Sequence, residues 1–172
     1  MDDSRQSGQP WVLLTYTLPR EPSAPRVALW RKLKKLGAVL MHDAVWTLPA
    51  TPTTREQVRW LAQEIREADG MAQVWVARGE LPEQDAQLVS LFVDRAEHGY
   101  QEILRTLDDP ARSRGELARL FRQVRAIDYF HAPSGDLARA RLEDLDGAEG
   151  EKHHSSHSSH TRLTRRTKGG TA

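Results

Sequence analysis

The residues with the clearest chemical character are four cations that lie close together, Arg31, Lys32, Lys34 and Lys35. The apolar spacing around them is that of a helix, and on that helix all four lie outside the apolar stripe. The helix itself offers them no acidic partner within one turn. Unpaired cations near a helix C-terminus are typical of a surface that binds nucleic-acid phosphates, and an ordinary solvated helix face has the same pattern. The segment is therefore a candidate DNA-binding surface.

Arg26 is a different kind of candidate, because on the same helix it falls beside Leu33 within the apolar stripe. It also lies in the first turn, where the helix dipole disfavours a cation. A half-buried guanidinium needs a partner, either a carboxylate such as Asp43 or a bound anion. Arg20 precedes it by a few residues and could hold the same anion. The two arginines are a candidate anion-binding pair, with an internal salt bridge of Arg26 as the alternative.

The histidines and the motif content favour no catalytic or metal site. His153, His154, His157 and His160 could converge on one metal ion, but without Cys and without a fold to hold the rings, adventitious binding is the better interpretation. His98 and His131 fall in predicted helical contexts, and Gly-x-Ser-x-Gly and Gly-rich phosphate loops are absent. We predict no catalytic residue, no metal and no cofactor.

Composition excludes several classes of protein. None of the 172 residues is Cys, which excludes disulfides, Cys-ligated zinc and thiol catalysis. The longest apolar run, Trp11 to Leu14, is far shorter than the roughly 20 residues of a membrane span. The first residues, Met-Asp-Asp-Ser, do not resemble a signal peptide. We therefore expect a cytoplasmic protein.

Charge is divided unevenly along the chain, although the net charge is only +1. The stretches 1–37, 38–79, 80–150 and 151–172 carry +4, −1, −6 and +4. A basic beginning and an acidic middle predict that different faces meet different partners.

The hydrophobic pattern predicts an α+β fold. Strands are expected at 11–16, 38–41, 44–48 and 73–77, and helices at about 25–36, ended by Gly37, and after a capping box of Thr53 and Glu56, ended by Gly70. The order strand, helix, strand, strand, helix, strand is that of a ferredoxin-like βαββαβ domain. The central position of the first strand follows from large residues on both of its faces.

The pattern after Pro82 is helical only. A long helix to about Leu107, a second helix around Leu117 to Val124 and a short one at 136–145 are expected. We predict three regions: a ferredoxin-like domain at 10–79, a helical extension at 80–146 and a disordered His/Ser/Arg-rich tail at 147–172. All five tryptophans are expected in the core. Val89 and Val93 broaden the apolar surface of the long helix, which predicts a homodimer.

Several rare local sequences occur in a fixed order: Tyr16-Thr17-Leu18-Pro19, then Arg20-Glu21-Pro22-Ser23-Ala24-Pro25-Arg26, then Trp30 to Gly37, then Val45-Trp46-Thr47-Leu48-Pro49. In these features the chain closely resembles the N-terminal domain of the ChrB family, regulatory proteins of bacterial chromate-resistance operons. The likeness is strong to about Arg78 and weaker from there to about Leu145.

The resemblance implies a non-enzymatic transcriptional regulator, or regulatory accessory, in chromate or related oxyanion resistance. In that family the Arg/Lys-rich region is associated with binding promoter DNA, and the matching residues here are Arg31, Lys32, Lys34 and Lys35. Full-length members carry a C-terminal domain believed to respond to chromate, where this chain has a polar tail. We therefore expect a stand-alone domain, with promoter DNA, a second copy and a separate sensory-domain protein as partners.

Two other functions stay open. The acidic helical part could bind a protein partner, which would make the chain an interaction module without direct DNA binding. A metal-dependent nuclease of ferredoxin-like fold needs a carboxylate at the end of its first strand. Here that position reads Thr15-Tyr16-Thr17, so the nuclease is the least favoured interpretation.

Overall fold

The computed structural model describes residues 8–42, 45–107, 109 and 111–145. Within this part of the chain, four strands and five helices follow the predicted order. They are β1 (Trp11–Thr17), α1 (Ala24–Lys35), β2 (Val39–His42), β3 (Val45–Pro49), α2 (Pro52–Glu67), β4 (Met71–Ala77), α3 (Pro82–Thr106), α4 (Arg114–Arg125) and α5 (135–145). None of these helices is both long and apolar enough to cross a membrane. The predicted disordered tail lies outside the described residues.

The four strands form one sheet in the order β2-β3-β1-β4, and all neighbouring strands are antiparallel. β1 is central, as the large residues on both of its faces predicted. Trp11 and Val12, which point to opposite faces, are each almost fully buried. The prediction of an α+β fold is confirmed.

Local sequence determines where the two helices that follow β1 and β3 begin. Ser23 occupies the predicted N-cap of α1, although its side chain makes no capping hydrogen bond. The predicted capping box of α2 was wrong: Thr51 and Thr54 form it, each side chain accepting from the other's backbone N–H, at 3.1 and 3.0 Å. Pro52 explains the earlier start, because proline suits the first turn of a helix.

One face of the sheet is covered by α1 and α2. Val12 and Leu14 of β1 lie in one apolar cluster with residues of both helices, which include Leu29, Leu33, Val58, Leu61, Ala62 and Ile65. The spacings of three and four between these helical residues place them on one side of each helix. This packing leaves the opposite side of α1 exposed.

The other face of the sheet is covered in part by the first half of α3. The indole N–H of Trp11 donates to Oδ1 of Asp85 at 2.7 Å, and its ring stacks on Phe92 with centroids 5.7 Å apart. Phe130 contacts both rings. The second half of α3 packs with α4 and α5 in a separate apolar cluster. The change from one cluster to the other therefore occurs within α3.

Three expectations about side chains were wrong. Trp11 and Trp46 are buried, but Trp30, Trp60 and Trp75 are 50%, 65% and 56% exposed. Their elements bury only one side each, and these three indoles lie on the uncovered sides. Val89 and Val93 pack against the two clusters of their own chain, so they supply no surplus apolar surface. His131 lies in the loop before α5 with a positive φ of 57°, and not in a helix.

Candidate nucleic-acid interface

The position of the basic residues depends on where α1 ends. Gly37 has a φ of 74°, a conformation that glycine adopts without strain. A Cβ at this position would lie 2.7 Å from Cβ of Ile127, so only glycine fits. The N–H of Ala38 donates to the carbonyl of Leu33 at 3.0 Å and closes the last turn. As a result the helix ends directly after Lys35.

Two side chains from distant segments hold this helix end. Arg95 of α3 donates to the carbonyl oxygens of Lys34 and Ala38, both at 3.0 Å. The phenol of Tyr129 donates to the carbonyl oxygen of Leu36 at 2.7 Å. Carbonyl groups of the last helical turn have no partner within the helix. Tyr129 supplies a partner for the carbonyl of Leu36, and Arg95 adds a second donor to the carbonyl of Lys34, which also accepts from the N–H of Gly37.

Arg95 and Tyr129 are partly removed from water. Burial lowers the pKa of the Arg95 guanidinium, and burial likewise raises the pKa of the Tyr129 phenol. Sequence reasoning missed both residues. One signal was available, because Arg95 stands among the apolar residues of α3, where a cation requires a partner.

The four predicted DNA-binding residues are all exposed on α1. Lys32 is paired with Glu64 of α2, with Nζ and Oε2 2.6 Å apart and both side chains about half exposed. Nζ of Lys34 lies 5.6 Å from the ring centroid of Trp30 and 5.8 Å from that of Trp46. Arg31 and Lys35 form no ion pair with any described residue. The expectation that all four cations are unpaired was therefore wrong for Lys32.

Arg20 and Arg26 lie together at the start of α1. Nη2 of Arg26 donates to the backbone carbonyl of Arg20 at 2.7 Å. Arg26 is half-buried, as predicted, and Arg20 is exposed. The contact that the structure gives Arg26 is thus a carbonyl oxygen, while its predicted partner Asp43 lies outside the described residues. The anion-binding role of the pair stays a prediction.

A groove of about 770 Å³ runs beside the cations, between α1 and α2. Lys32 and Lys35 of α1 line one side, together with Leu36, which directly follows the helix. Its other walls come from α2 with its N-cap and from the segment after α4, and are Thr51, Thr53, Thr54, Gln57, Trp60, Leu61, Ala126 and Tyr129. The cationic surface of α1 therefore continues into a concave surface with an exposed aromatic ring.

Several acidic residues of α3 form hydrogen bonds or ion pairs with other residues of the protein. Asp85 accepts from Trp11. Glu97 accepts from the N–H and the hydroxyl of Ser134, at 2.9 and 2.5 Å, and these hydrogen bonds lower the pKa of the Glu97 carboxyl. Glu102 pairs with Arg105 at 2.7 Å. Part of the negative charge of this region thus fixes α3 and α5 in place.

The described residues contain no group of three or more His, Asp or Glu side chains that could hold a metal ion. The His-rich run at 153–160 lies outside them. The end of β1 carries Thr15, Tyr16 and Thr17, so the position that would hold a nuclease metal has hydroxyl groups and no carboxylate.

The antiparallel sheet, the helices on both of its faces and the exposed basic helix define a small α+β module with a cationic surface. The family model described as "Protein ChrB, N-terminal" matches residues 26–112, just over half of the chain. This chain belongs to that family. Protein ChrB of Cupriavidus metallidurans strain CH34 is 32% identical over 148 residues, a match that covers 79% of this chain.

The same match covers 44% of the Cupriavidus protein, so this chain spans less than half the length of that relative. No solved structure matches the chain. The family resemblance drawn from Tyr16 to Pro49 is confirmed.

Proposed function

We propose that this protein is a non-enzymatic regulator in chromate or related oxyanion resistance and that it contacts promoter DNA through α1. Membership of the ChrB N-terminal family supports the regulatory role. The DNA contact is supported by the charge and geometry of the helix surface. Its cations meet the phosphate backbone, which supplies most of the sequence-independent affinity of DNA-binding proteins.

The proposal depends most on one observation, the exposure of the cations on α1 and the lack of a described ion pair at two of them. All four are exposed, and Arg31 and Lys35 lack an ion pair within the described part of the chain. The helix end that bears them is fixed by Arg95 and Tyr129. The backbone that carries these cations is therefore held in place, so the helix end need not become ordered when it meets phosphates. Arg20 and Arg26 would add an anion contact at the other end of the helix.

The arrangement of strands and helices supports the assignment of a ferredoxin-like domain. The strand order β2-β3-β1-β4 with antiparallel neighbours, combined with the element order βαββαβ, is the arrangement that we assign to a ferredoxin-like domain at 10–79. The helical extension that we assign to 80–146 shares the domain's core through Phe92. In this arrangement the extension supports α1 through Arg95 and carries no DNA contact itself.

An electrophoretic mobility shift assay with the promoter DNA upstream of this protein's gene tests the proposal. We expect wild-type protein to shift this DNA at low salt, and the variant with Arg31, Lys32, Lys34 and Lys35 all changed to Glu to shift none. The matched control changes four exposed arginines of the helical part to Glu, namely Arg112, Arg119, Arg122 and Arg141. It has the same net charge as the α1 variant and should retain binding. Equally weakened binding in both variants, or no shift by the wild type, would refute a specific α1 surface.

We also propose that the protein acts as a homodimer through the part of the sheet that α3 leaves open. Met71 and Trp75 of β4 and Leu91 of α3 are 71%, 56% and 49% exposed. Exposed apolar residues grouped in this way favour association. Sedimentation velocity at micromolar concentration should give a dimer, and Trp75→Glu should give a monomer. A monomeric wild type would refute the proposal.

A protein partner for the helical part is the second candidate function. The net charge of −6 over residues 80–150 favours a basic partner and opposes contact with DNA. Leu81 and Leu137 are each about half exposed there. If the isolated helical part binds DNA with the same affinity as the whole chain, then the assignment of DNA binding to α1 and of partner binding to the helical part is wrong.

A further inference from the structure

Trp60 is the most exposed of the five tryptophans, at 65%, and it lies on the wall of the groove between α1 and α2. Gln57, Trp60 and Glu64 share one side of α2 because they are three and four residues apart. This side faces the C-terminal half of α1, as the contact between Glu64 and Lys32 shows. The indole is therefore held beside the cationic surface and has little of its area covered by the protein.

The groove has cations on the wall opposite the indole. Lys32 and Lys35 line it from α1. Lys32 is partly neutralised by Glu64, so Lys35, which forms no described ion pair, is the cation free to meet an anion. The N-terminal part of α2 contributes Thr53 and Gln57, side chains that can hydrogen-bond a polar ligand.

The remaining lining is largely apolar. Leu61 is buried and Leu36 is half-buried, and the phenol of Tyr129 is already bonded to the carbonyl of Leu36. A volume of about 770 Å³ is in the range of small-ligand sites. The groove thus combines one exposed aromatic ring, one free cation, a few hydrogen-bonding groups and an apolar lining.

We propose that this groove binds one unpaired nucleotide of a single-stranded nucleic acid. The base stacks on Trp60, the adjoining phosphate meets Lys35, and Gln57 or Thr53 bonds the base edge. Stacking on an aromatic side chain accepts any base but requires that the base be unpaired and accessible. The inference rests on the proposed nucleic-acid contact of α1, since the same helix supplies the cation.

Fluorescence anisotropy with two labelled probes tests this site in the full-length protein. The probes are a thymidine decanucleotide and a duplex of the same length, both at low salt. Trp60→Ala should weaken binding of the single strand by about tenfold, while binding of the duplex changes less than about twofold. Trp60→Phe should retain most of the affinity because it keeps an aromatic ring. Val76→Ala, which removes an exposed apolar side chain from β4 outside both the groove and the proposed dimer surface, should have no effect on either probe.

The outcomes separate this inference from the proposed function. Wild-type protein that binds the duplex but not the single strand overturns the inference alone, and so does a Trp60→Ala variant with unchanged single-strand affinity or with equally weakened binding of both probes. Protein that binds neither probe overturns both proposals. Binding of the single strand that depends on Trp60, without binding of the duplex, supports the site and overturns the duplex contact. If thymidine monophosphate displaces the decanucleotide at equal concentration, the ligand is a free nucleotide and the assignment to a strand is wrong.

Discussion

Arg95 donates a hydrogen bond to the backbone carbonyl of Lys34 at 3.0 Å, across 61 positions of sequence. The same guanidinium also reaches the carbonyl of Ala38. One residue of the helical part therefore fixes the end of the helix that carries the candidate DNA-binding cations. Its positive charge lies beside carbonyl groups at a helix C-terminus, where a cation is favoured.

Replacing Arg95 by Met should lower the free energy of unfolding by about 2 kcal/mol, because two carbonyl groups lose charged hydrogen bonds. Urea unfolding followed by circular dichroism measures the change. Arg105→Met is the matched control on the same helix: Arg105 is exposed and pairs with Glu102, so its removal should leave the free energy of unfolding almost unchanged. Equal effects of the two substitutions would show that the contact with α1 contributes nothing.

Glu64→Gln should increase affinity for DNA. The substitution removes the partner of Lys32 and leaves that cation free to meet a phosphate. Titrations at several salt concentrations should give a lower Kd at low salt and a steeper salt dependence. Glu67→Gln removes one negative charge further along the same helix, where the side chain bonds Gln63, and should have a smaller effect. An unchanged Kd for Glu64→Gln would indicate that Lys32 does not face DNA.

Phe92→Ala should destabilise the whole protein by about 3 kcal/mol or more. Phe92 is 2% exposed and contacts the rings of Trp11, Tyr129 and Phe130. Unfolding should remain a single transition, because the sheet and α3 share this core. Leu137→Ala, at an exposed position of α5, should cost less than about 1 kcal/mol. Two separate transitions would show instead that the sheet and the helical part are independent.

Tyr100 should make stability depend on pH in the alkaline range. It is fully buried and donates to Oδ2 of Asp128 at 3.1 Å. Burial, with the nearby Asp128 carboxylate, raises its pKa to about 12 from 10.0. Between these two values the unfolded chain releases the phenolic proton and the folded chain keeps it. The contribution of Tyr100 to the free energy of unfolding should therefore be complete below pH 10. It should be lost progressively as the pH rises towards 12.

The comparison with Tyr100→Phe isolates this effect. The variant cannot titrate at this position, so its unfolding free energy should decline less between about pH 10 and about pH 12. It should be less stable than the wild type at neutral pH by about 1 kcal/mol, since Asp128 loses a hydrogen-bond donor. Urea unfolding at a series of pH values measures both differences. Identical pH profiles of the two proteins would contradict the assignment.

The order of the elements could be predicted because it depends on local sequence. Gly37 ends α1 as predicted, with a φ of 74°, and the spacing of Leu29 and Leu33 shows the buried side of α1. The prediction for the end of α2 was wrong by one residue, because Asp69, with a φ of 58°, takes the left-handed position and Gly70 follows it. Local patterns also placed the four cations on the exposed side. The capping box of α2 was misplaced by two residues because Thr51 with Thr54 and Thr53 with Glu56 have the same spacing and overlap in the sequence.

What the sequence could not provide are contacts between distant segments. Glu64 meets Lys32 across 32 positions and Tyr129 meets Leu36 across 93. Neither contact leaves a periodic pattern in the chain. The exposure of Trp60 and Trp75 was missed for a related reason, since a regular position on a helix or strand does not say which side another element covers.

The salt dependence of DNA binding tests the central claim most directly. Each cation removed from a phosphate should make the slope of log Kobs against log salt concentration shallower by about 0.9. Arg31→Gln combined with Lys35→Gln removes the two cations without a described ion pair, so the slope should become shallower by about 1.8, with little change in the free energy of unfolding. The control Arg119→Gln with Arg122→Gln, on exposed residues of α4, should leave the slope unchanged. A wild-type slope in the α1 variant would contradict a contact between α1 and DNA phosphates.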